Sequence, residues 1–163
     1  MSGTGGRHEA REWAVQFLFQ RDFNRGDLGE ALADFWSDKK PAPKAREFAE
    51  ELIRGVEQHL AELDRQLKSY TENWDVKRMG AVDRNVMRVA LYEMTCRPDI
   101  PPVVSINEAV EIAKDLSGIE SGKFVNGILD RACKALARPA RAASDVAAPR
   151  VPPGGGKPRG GVD

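Results

Sequence analysis

The sequence predicts an all-α fold, a compact bundle of about seven helices. Between residues 7 and 137 the apolar side chains recur at helical spacings of three and four nearly throughout. The alternation of β-branched residues that is typical of strands is missing from this stretch. Apolar residues make up 41% of the 163-residue chain, which is enough for one packed core. We therefore expect a single helical domain over residues 7–137.

The first half of this domain contains three apolar patterns. A first helix is predicted over residues 7–21, and a short amphipathic helix over residues 28–36 follows an Asn-Arg-Gly turn. After a proline-containing interruption, residues 48–70 carry one continuous apolar seam, which we expect to bend near residues 59–64. The inward side of the first helix is predicted to consist of Ala10, Ala14, Phe17, Leu18 and Arg21.

The second half begins after an irregular connection at residues 73–80. The next helix has so broad an apolar surface that we expect it to be central and covered by its neighbours. Along one face it places Val82, Val86, Val89, Ala90 and Glu93. Prolines in the segment 97–102 end this helix, because proline lacks the amide donor and restricts the residue before it.

Two more helices complete the prediction. Ser105 and Glu108 are spaced as a capping box, which predicts a helix beginning at Ser105. Ser121 is the predicted cap of the last helix. The dipeptide Asn126-Gly127 is a strong hairpin signal in other contexts. Here the helical spacing of apolar residues runs through it without a break, so we expect an uninterrupted helix.

Two flanking segments are predicted to lie outside the domain. Residues 1–6 contain three glycines and no large apolar side chain after Met1, which predicts a flexible N-terminus. Residues 138–163 contain five prolines and five glycines, which predicts a disordered tail. Five basic residues against two acidic ones make this tail basic.

Charge and hydropathy exclude several classes of protein. The 25 basic residues balance 25 acidic ones, which argues against wholesale electrostatic binding to nucleic acid or to a membrane. No apolar run approaches the roughly 18 to 20 residues that cross a bilayer, so we expect a cytoplasmic protein with no membrane partner. No motif of a hydrolase, a zinc protease or a nucleotide-binding loop is present, which argues against an enzyme with catalytic residues.

The cysteine and histidine content predicts no metal site and no cofactor. Cys96 and Cys133 lie far apart and form no CxxC pair, and His8 and His59 are the two histidines of the chain. We expect both cysteines to be reduced thiols packed among helices.

The start of the first helix is one candidate for chemistry. Arg7 and Arg11 are four residues apart, with His8 beside them. Cations in a first helical turn are unfavourable by about 0.3 to 1 kcal/mol, since the exposed amides already carry partial positive charge. The same amides would favour a bound phosphate. Ordinary pairing of these cations with Glu9 and Glu12 explains the pattern equally well.

The start of the last helix is a second candidate. Lys123 and Phe124 follow Ser121 and Gly122, so a phenyl ring lies beside an amine and free amides. This arrangement can stack an unpaired base while holding its phosphate. Phe124 also lies about 40° around the helix from Ile128, and on spacing alone an aromatic at the edge of the core is the more common explanation.

Four segments together resemble a known family. They are residues 11–19 (REWAVQFLF), 82–94 (VDRNVMRVALYEM), 100–114 (IPPVVSINEAVEIAK) and 124–130 (FVNGILD). In order and spacing, the chain from about residue 7 to residue 137 resembles the NusB family of bacterial transcription antitermination factors. The resemblance implies an all-helical domain of two packed subdomains, without catalysis.

The resemblance also implies partners and a site. Members of the family bind the boxA element of ribosomal RNA transcripts together with NusE, in a complex with NusA, NusG and RNA polymerase. The RNA would lie across Arg7, His8, Arg11, Lys123 and Phe124. NusE would contact Asp83 in the central helix and Glu120 before the last helix. Family members occur as monomers and as homodimers, and the sequence leaves this choice open.

One departure from the family pattern bears on affinity. The family often begins with a denser run of arginines, whereas here only Arg7 and Arg11 occur, interleaved with Glu9 and Glu12. We therefore expect weak RNA binding by the protein alone, with NusE adding affinity. Two rivals remain. One is a NusE-binding adaptor with little RNA affinity. The other is the helical domain that precedes some ribosomal RNA methyltransferases, against which the 26 residues after Ala137 argue.

Overall fold

The computed structural model describes residues 3–71 and 79–136, and all regular secondary structure in these ranges is helical. The predicted fold class is confirmed: seven helices occur among the described residues. They are α1 (Gly3–Phe23), α2 (Leu28–Trp36), α3 (Pro43–Gln58), α4 (Leu60–Tyr70), α5 (Ala81–Cys96), α6 (Pro102–Ser117) and α7 (Ile119–Ala135). The tail at residues 138–163 and most of the connection predicted at 73–80 lie outside the described residues.

Helix α5 lies at the centre of the bundle, as its broad apolar surface predicts. Ten consecutive residues from Asn85 to Met94 are buried, so every side of this helix is covered. In the first half of the chain α1 packs on α3, and in the second half α6 packs on α7. Helix α5 contacts α1, α3 and α4 from one half and α6 and α7 from the other. It therefore joins the two halves through a shared core.

The predicted bend in the long apolar segment is also confirmed. His59 separates α3 from α4, and its backbone angles (φ −109°, ψ 20°) leave the helical region. The seam continues across this break, because Leu52 and Val56 on α3 and Leu63 and Leu67 on α4 are all buried.

Helix α1 begins earlier than the sequence predicts. Its first residue is Gly3 rather than Arg7, so residues 3–6, predicted as part of a flexible terminus, are helical, and residues 1–2 lie outside the described part. Once a helix has formed, each added residue completes a hydrogen bond at a small further cost in entropy, so even glycines can extend it. Arg7 consequently lies in the second turn of α1, beyond the exposed amides of the first.

Neither predicted serine cap is formed. Helix α6 begins at Pro102, whose fixed φ suits a first helical position. The hydroxyl of Ser105 donates to the carboxylate of Glu93 instead. Helix α7 begins at Ile119, and the hydroxyl of Ser121 donates to Asp83. Between the two helices stands Gly118, with φ +108°, a conformation that favours glycine and allows the tight turn.

Helix α7 runs without interruption through Asn126 and Gly127, as the apolar spacing predicts.

Both cysteines lie in the described part of the chain. Cys133 is buried in the core as expected, whereas Cys96 is exposed at the end of α5. Within the described ranges, no helix combines the length and the apolar character needed to cross a membrane.

A polar cluster fastens α1 and α4 to α5. The guanidinium of Arg88 donates from Nε to Asp64 at 2.8 Å and from Nη1 to Asp22 at 3.0 Å. The side-chain amide of Asn85 donates to Asp22 at 2.9 Å. Burial opposes the ionisation of Asp22, but the bonds from Asn85 and Arg88 outweigh it, and the pKa of this carboxyl lies below its ordinary value.

Candidate nucleic-acid interface

The start of α1 lies beside a surface depression between α1 and α6. It is lined by Arg7, Arg11, Asp99, Ile100, Pro101, Val104 and Glu108. Arg7 is exposed, and its guanidinium lies over the ring of Phe48, 4.5 Å from the ring centroid. This cation–π contact holds the cation at the surface without neutralising it. Arg7 is therefore suited to contact a phosphate.

Arg11 occupies a different environment from the one predicted. This residue is buried, only 4% exposed, and its guanidinium donates two hydrogen bonds to Glu93, from Nε at 2.7 Å and from Nη2 at 3.0 Å. Glu93 is itself fully buried and accepts a third bond from Ser105 at 2.6 Å. A phosphate contact by Arg11 stays a prediction, and in this structure the guanidinium of Arg11 is bonded to Glu93. Its charge is matched inside the protein, where it joins α1 to α5 and α6.

His8 faces carboxylates rather than open solvent. Its Nδ1 lies 2.5 Å from Oε1 of Glu108 on α6, and its side chain is 33% exposed. The hydrogen bond to Glu108 raises the pKa of His8 above its ordinary value, against the opposing effect of burial. His8 therefore lies at the edge of the surface around Arg7, with its ring orientation fixed by α6.

The start of α7 forms a second depression together with the start of α5. Four of the predicted site residues meet there, although they come from two distant parts of the sequence. The lining consists of Met79, Gly80, Asp83, Glu120, Ser121, Lys123 and Phe124. The predicted RNA contacts of α7 and both predicted NusE contacts are thus brought into one place.

Asp83 is a partly buried acid in this depression. Burial raises the pKa of its carboxyl, and the hydrogen bond from Ser121 at 3.3 Å only partly opposes this. Its other oxygen, Oδ1, is buried and has no hydrogen-bond partner within the described part of the protein. A donor supplied by a binding partner would satisfy this oxygen, and an unsatisfied buried acceptor costs about 1 to 3 kcal/mol.

The other residues of the second depression are more accessible. The amine of Lys123 is exposed and lies 3.8 Å from the exposed carboxylate of Glu120, a loose contact that a phosphate can displace. Phe124 is half-buried and packs against the core. The ring therefore packs at the edge of the core and also lines the depression, and the stacking of a base on it stays a prediction.

Helix α6 lies between the two depressions. Its Glu108 contacts His8 on α1. Its Lys114 packs against Gly122 on α7, so closely that a Cβ added to Gly122 would lie 3.1 Å from Cδ of Lys114. Arg7 and the pair of Lys123 and Phe124 are therefore not in one pocket. A ligand that reaches both can cross the surface of α6, where Lys114 is exposed.

The sequence reasoning missed one surface feature. Phe19 and Phe23 form an edge-to-face pair on α1, with ring centroids 5.3 Å apart, and Phe23 is 72% exposed. Phe19 is 37% exposed. Aromatic side chains exposed together are a common feature of protein interfaces. The signal was present in the sequence as two aromatics four residues apart.

Comparison with known proteins places the chain in a family. The NusB family model matches residues 8–134. The transcription antitermination protein NusB of Myxococcus xanthus is 44% identical over 139 residues, covering 83% of this chain and 99% of that protein. The corresponding protein of Methylacidiphilum infernorum is 43% identical over 135 residues, covering 82% of this chain and 94% of that one.

Solved structures of NusB proteins are also similar to this chain. A crystal structure of NusB from T. maritima has a TM-score of 0.73 and 42% identity, and covers 83% of this chain and 93% of that one. A chain from a crystal structure of the antitermination factors NusB and NusE in complex with dsRNA has a TM-score of 0.73 and 27% identity. The match covers 80% of this chain and 97% of that one. The chain belongs to the NusB family of transcription antitermination proteins.

Proposed function

We propose that this protein acts in transcription antitermination by binding the boxA element of ribosomal RNA transcripts together with NusE. Its relatives are transcription antitermination proteins, and one similar structure holds NusB with NusE and RNA. The observation that carries the proposal is the depression between α5 and α7, where an exposed amine and an accessible phenyl ring lie beside the incompletely satisfied carboxylate of Asp83.

The proposed RNA path uses few positive charges. Arg7 and Lys123 would bind phosphates at its two ends, Lys114 lies between them, and Phe124 would stack an unpaired base. His8 stays at the edge of this path, and Arg11 positions α1 from within the core. With two or three phosphates neutralised, the slope of log K against log salt should be shallow, about −1.5 to −2. Weak binding by the protein alone follows.

NusE would supply the remaining affinity through a neighbouring surface. The exposed pair of Phe19 and Phe23 adjoins the start of α5, because Asp22 between them bonds to Arg84 at 3.1 Å. Asp83 is the preceding residue of α5. We therefore propose that the aromatic pair and Asp83 belong to one protein-binding surface, with Glu120 at its edge. Aromatic anchors beside a polar group are typical of such surfaces.

The protein would act by binding alone, in the cytoplasm, with no catalytic step. NusA, NusG and RNA polymerase are its proposed further partners in the assembled complex. Whether it also forms a homodimer stays a prediction, which sedimentation of the purified protein tests.

Fluorescence anisotropy with a labelled single-stranded boxA RNA tests the proposal, using a scrambled RNA as control. We expect weak binding by the protein alone and at least tenfold tighter binding when NusE is present, restricted to the boxA sequence. Equal affinity for both RNAs in the presence of NusE would contradict the proposal. NusE binding without any effect on RNA would favour the second candidate, a NusE-binding adaptor, which the burial of Arg11 supports.

A further inference from the structure

A cluster of metal-ligand side chains joins the beginning of α1 to the end of α6. It consists of His8 and Glu12, one turn apart on α1, and Asp115 on α6. One ligand atom from each of the three side chains lies within 4.8 Å of the others. His8 and Glu12 are partly buried and Asp115 is exposed, so an ion from solvent can reach the site.

A fourth residue orients the histidine of this cluster. Nδ1 of His8 is bonded to Oε1 of Glu108, which leaves Nε2 as the nitrogen available to a ligand. Histidines that bind metals usually donate their other ring N–H to a carboxylate, which fixes the tautomer and makes the free nitrogen a better ligand. Glu108 is half-buried and lies 3.8 Å from the buried Arg11, so its position is itself constrained.

The donor set indicates which ions fit. One imidazole nitrogen and two carboxylate oxygens suit borderline divalent ions such as Zn²⁺, whereas Ca²⁺ and Mg²⁺ prefer oxygen alone. With bonds of about 2.0 to 2.1 Å, the ligands of a tetrahedral Zn²⁺ lie about 3.3 Å apart. Rotation of the Glu12 and Asp115 side chains would bring the three ligand atoms to this spacing. Water would complete the coordination.

We propose that His8, Glu12 and Asp115 bind one divalent transition-metal ion of the Zn²⁺ type, with Glu108 orienting the histidine. The ion would fasten the second and third turns of α1 to the end of α6. It would also offset the acidic charge that Glu12, Asp115 and Glu108 place beside Arg7. The sequence predicted no metal site because the third ligand comes from a distant helix.

Isothermal titration of the full chain with Zn²⁺ tests this site. For this experiment the protein is prepared without an affinity tag and with the substitution Cys96→Ser, which removes an exposed thiol that could also bind zinc. This protein is the parent for all the variants below. We expect one ion per chain, and an affinity about tenfold or more weaker in His8→Asn and in Asp115→Asn. The control Glu9→Gln changes an exposed carboxylate on the same helix and should bind as tightly as the parent.

Thermal unfolding gives an independent readout. Zn²⁺ should raise the Tm of the parent and of Glu9→Gln, because it links two helices in the folded state alone, and it should leave His8→Asn unchanged. Circular dichroism checks that each variant is folded. The absence of binding heat in the parent would overturn the proposal, and so would equal binding by the parent and His8→Asn.

Discussion

The buried pair of Arg11 and Glu93 makes a quantitative prediction about stability. Substitution of Arg11 by Met keeps much of the side-chain volume but removes both hydrogen bonds to Glu93. Glu93 would then be a fully buried carboxylate with the hydroxyl of Ser105 as its one remaining partner among the described residues. Removal of one member of a buried ion pair costs about 3 to 5 kcal/mol, because the other charge stays desolvated.

For a helical domain of this size, each kcal/mol shifts the Tm by about 3 to 4 °C, so the expected loss is about 10 to 20 °C. The double variant Arg11→Met with Glu93→Leu should recover most of this loss, since it removes both charges and leaves no buried anion unpaired.

Urea unfolding, followed by circular dichroism, measures these differences in the free energy of unfolding. RNA affinity is then measured well below the lower Tm. We expect folded Arg11→Met to keep the parent's salt dependence of RNA binding. A variant with an unchanged urea midpoint but strongly reduced RNA affinity would refute the reasoning, because it would place the Arg11 guanidinium on the RNA.

Three further changes have distinct signatures. Arg7→Met should reduce the magnitude of the log–log salt slope of RNA binding by about 0.7, because one exposed phosphate contact is lost. Gly127→Ala should raise the free energy of unfolding by about 0.5 to 1 kcal/mol in urea titrations, since the added methyl meets no atom within 4 Å and alanine favours the helix. Asp22 has a lowered pKa, so its contribution to stability is complete above its unfolded pKa near 4 and is lost as pH falls through the folded value. The difference in unfolding free energy between parent and Asp22→Asn should therefore stay constant at higher pH and shrink once the pH falls below about 4.

The outcomes that contradict these expectations are specific. An unchanged salt slope in Arg7→Met would remove this cation from the RNA path. If Gly127→Ala lowered the free energy of unfolding, α7 would have to be strained at this position. Gly55→Ala is the contrasting variant and should lower the free energy of unfolding, because its methyl would overlap the ring of Tyr92. A stability difference that stays constant with pH would show that Asp22 contributes through packing rather than ionisation.

Helix positions followed from the sequence because apolar spacing is a local property. The central place of α5 and the break at His59 could both be predicted in this way. The starts of α1 and α6 could not, since they depend on backbone hydrogen bonds and on the tertiary partner of Ser105. A serine followed by a glutamate three residues later fits a capping box, but a buried carboxylate on α5 competes for the same hydroxyl.

The sequence predicted only part of the candidate site, because partners that are distant in the sequence cannot be identified from local spacing. The sequence favours an RNA contact for Arg11 because an arginine near a helix start looks available, whereas its partner Glu93 is 82 residues away. The sequence does carry one signal of this pairing: Glu93 lies on the apolar face of its helix, where a charge needs a buried partner. The meeting of Asp83 with Lys123 and Phe124 could not be predicted from spacing, because only the packing of α5 on α7 brings them together.

Photo-crosslinking tests the central claim most directly, that the start of α7 holds the RNA. BoxA RNA with 4-thiouridine at successive positions is irradiated with the protein and NusE, and tryptic peptides are identified by mass spectrometry. We predict a crosslink at Phe124, within the peptide 124–131, that is absent with the scrambled RNA. Crosslinks confined to peptides of α3 and α4 would contradict the account.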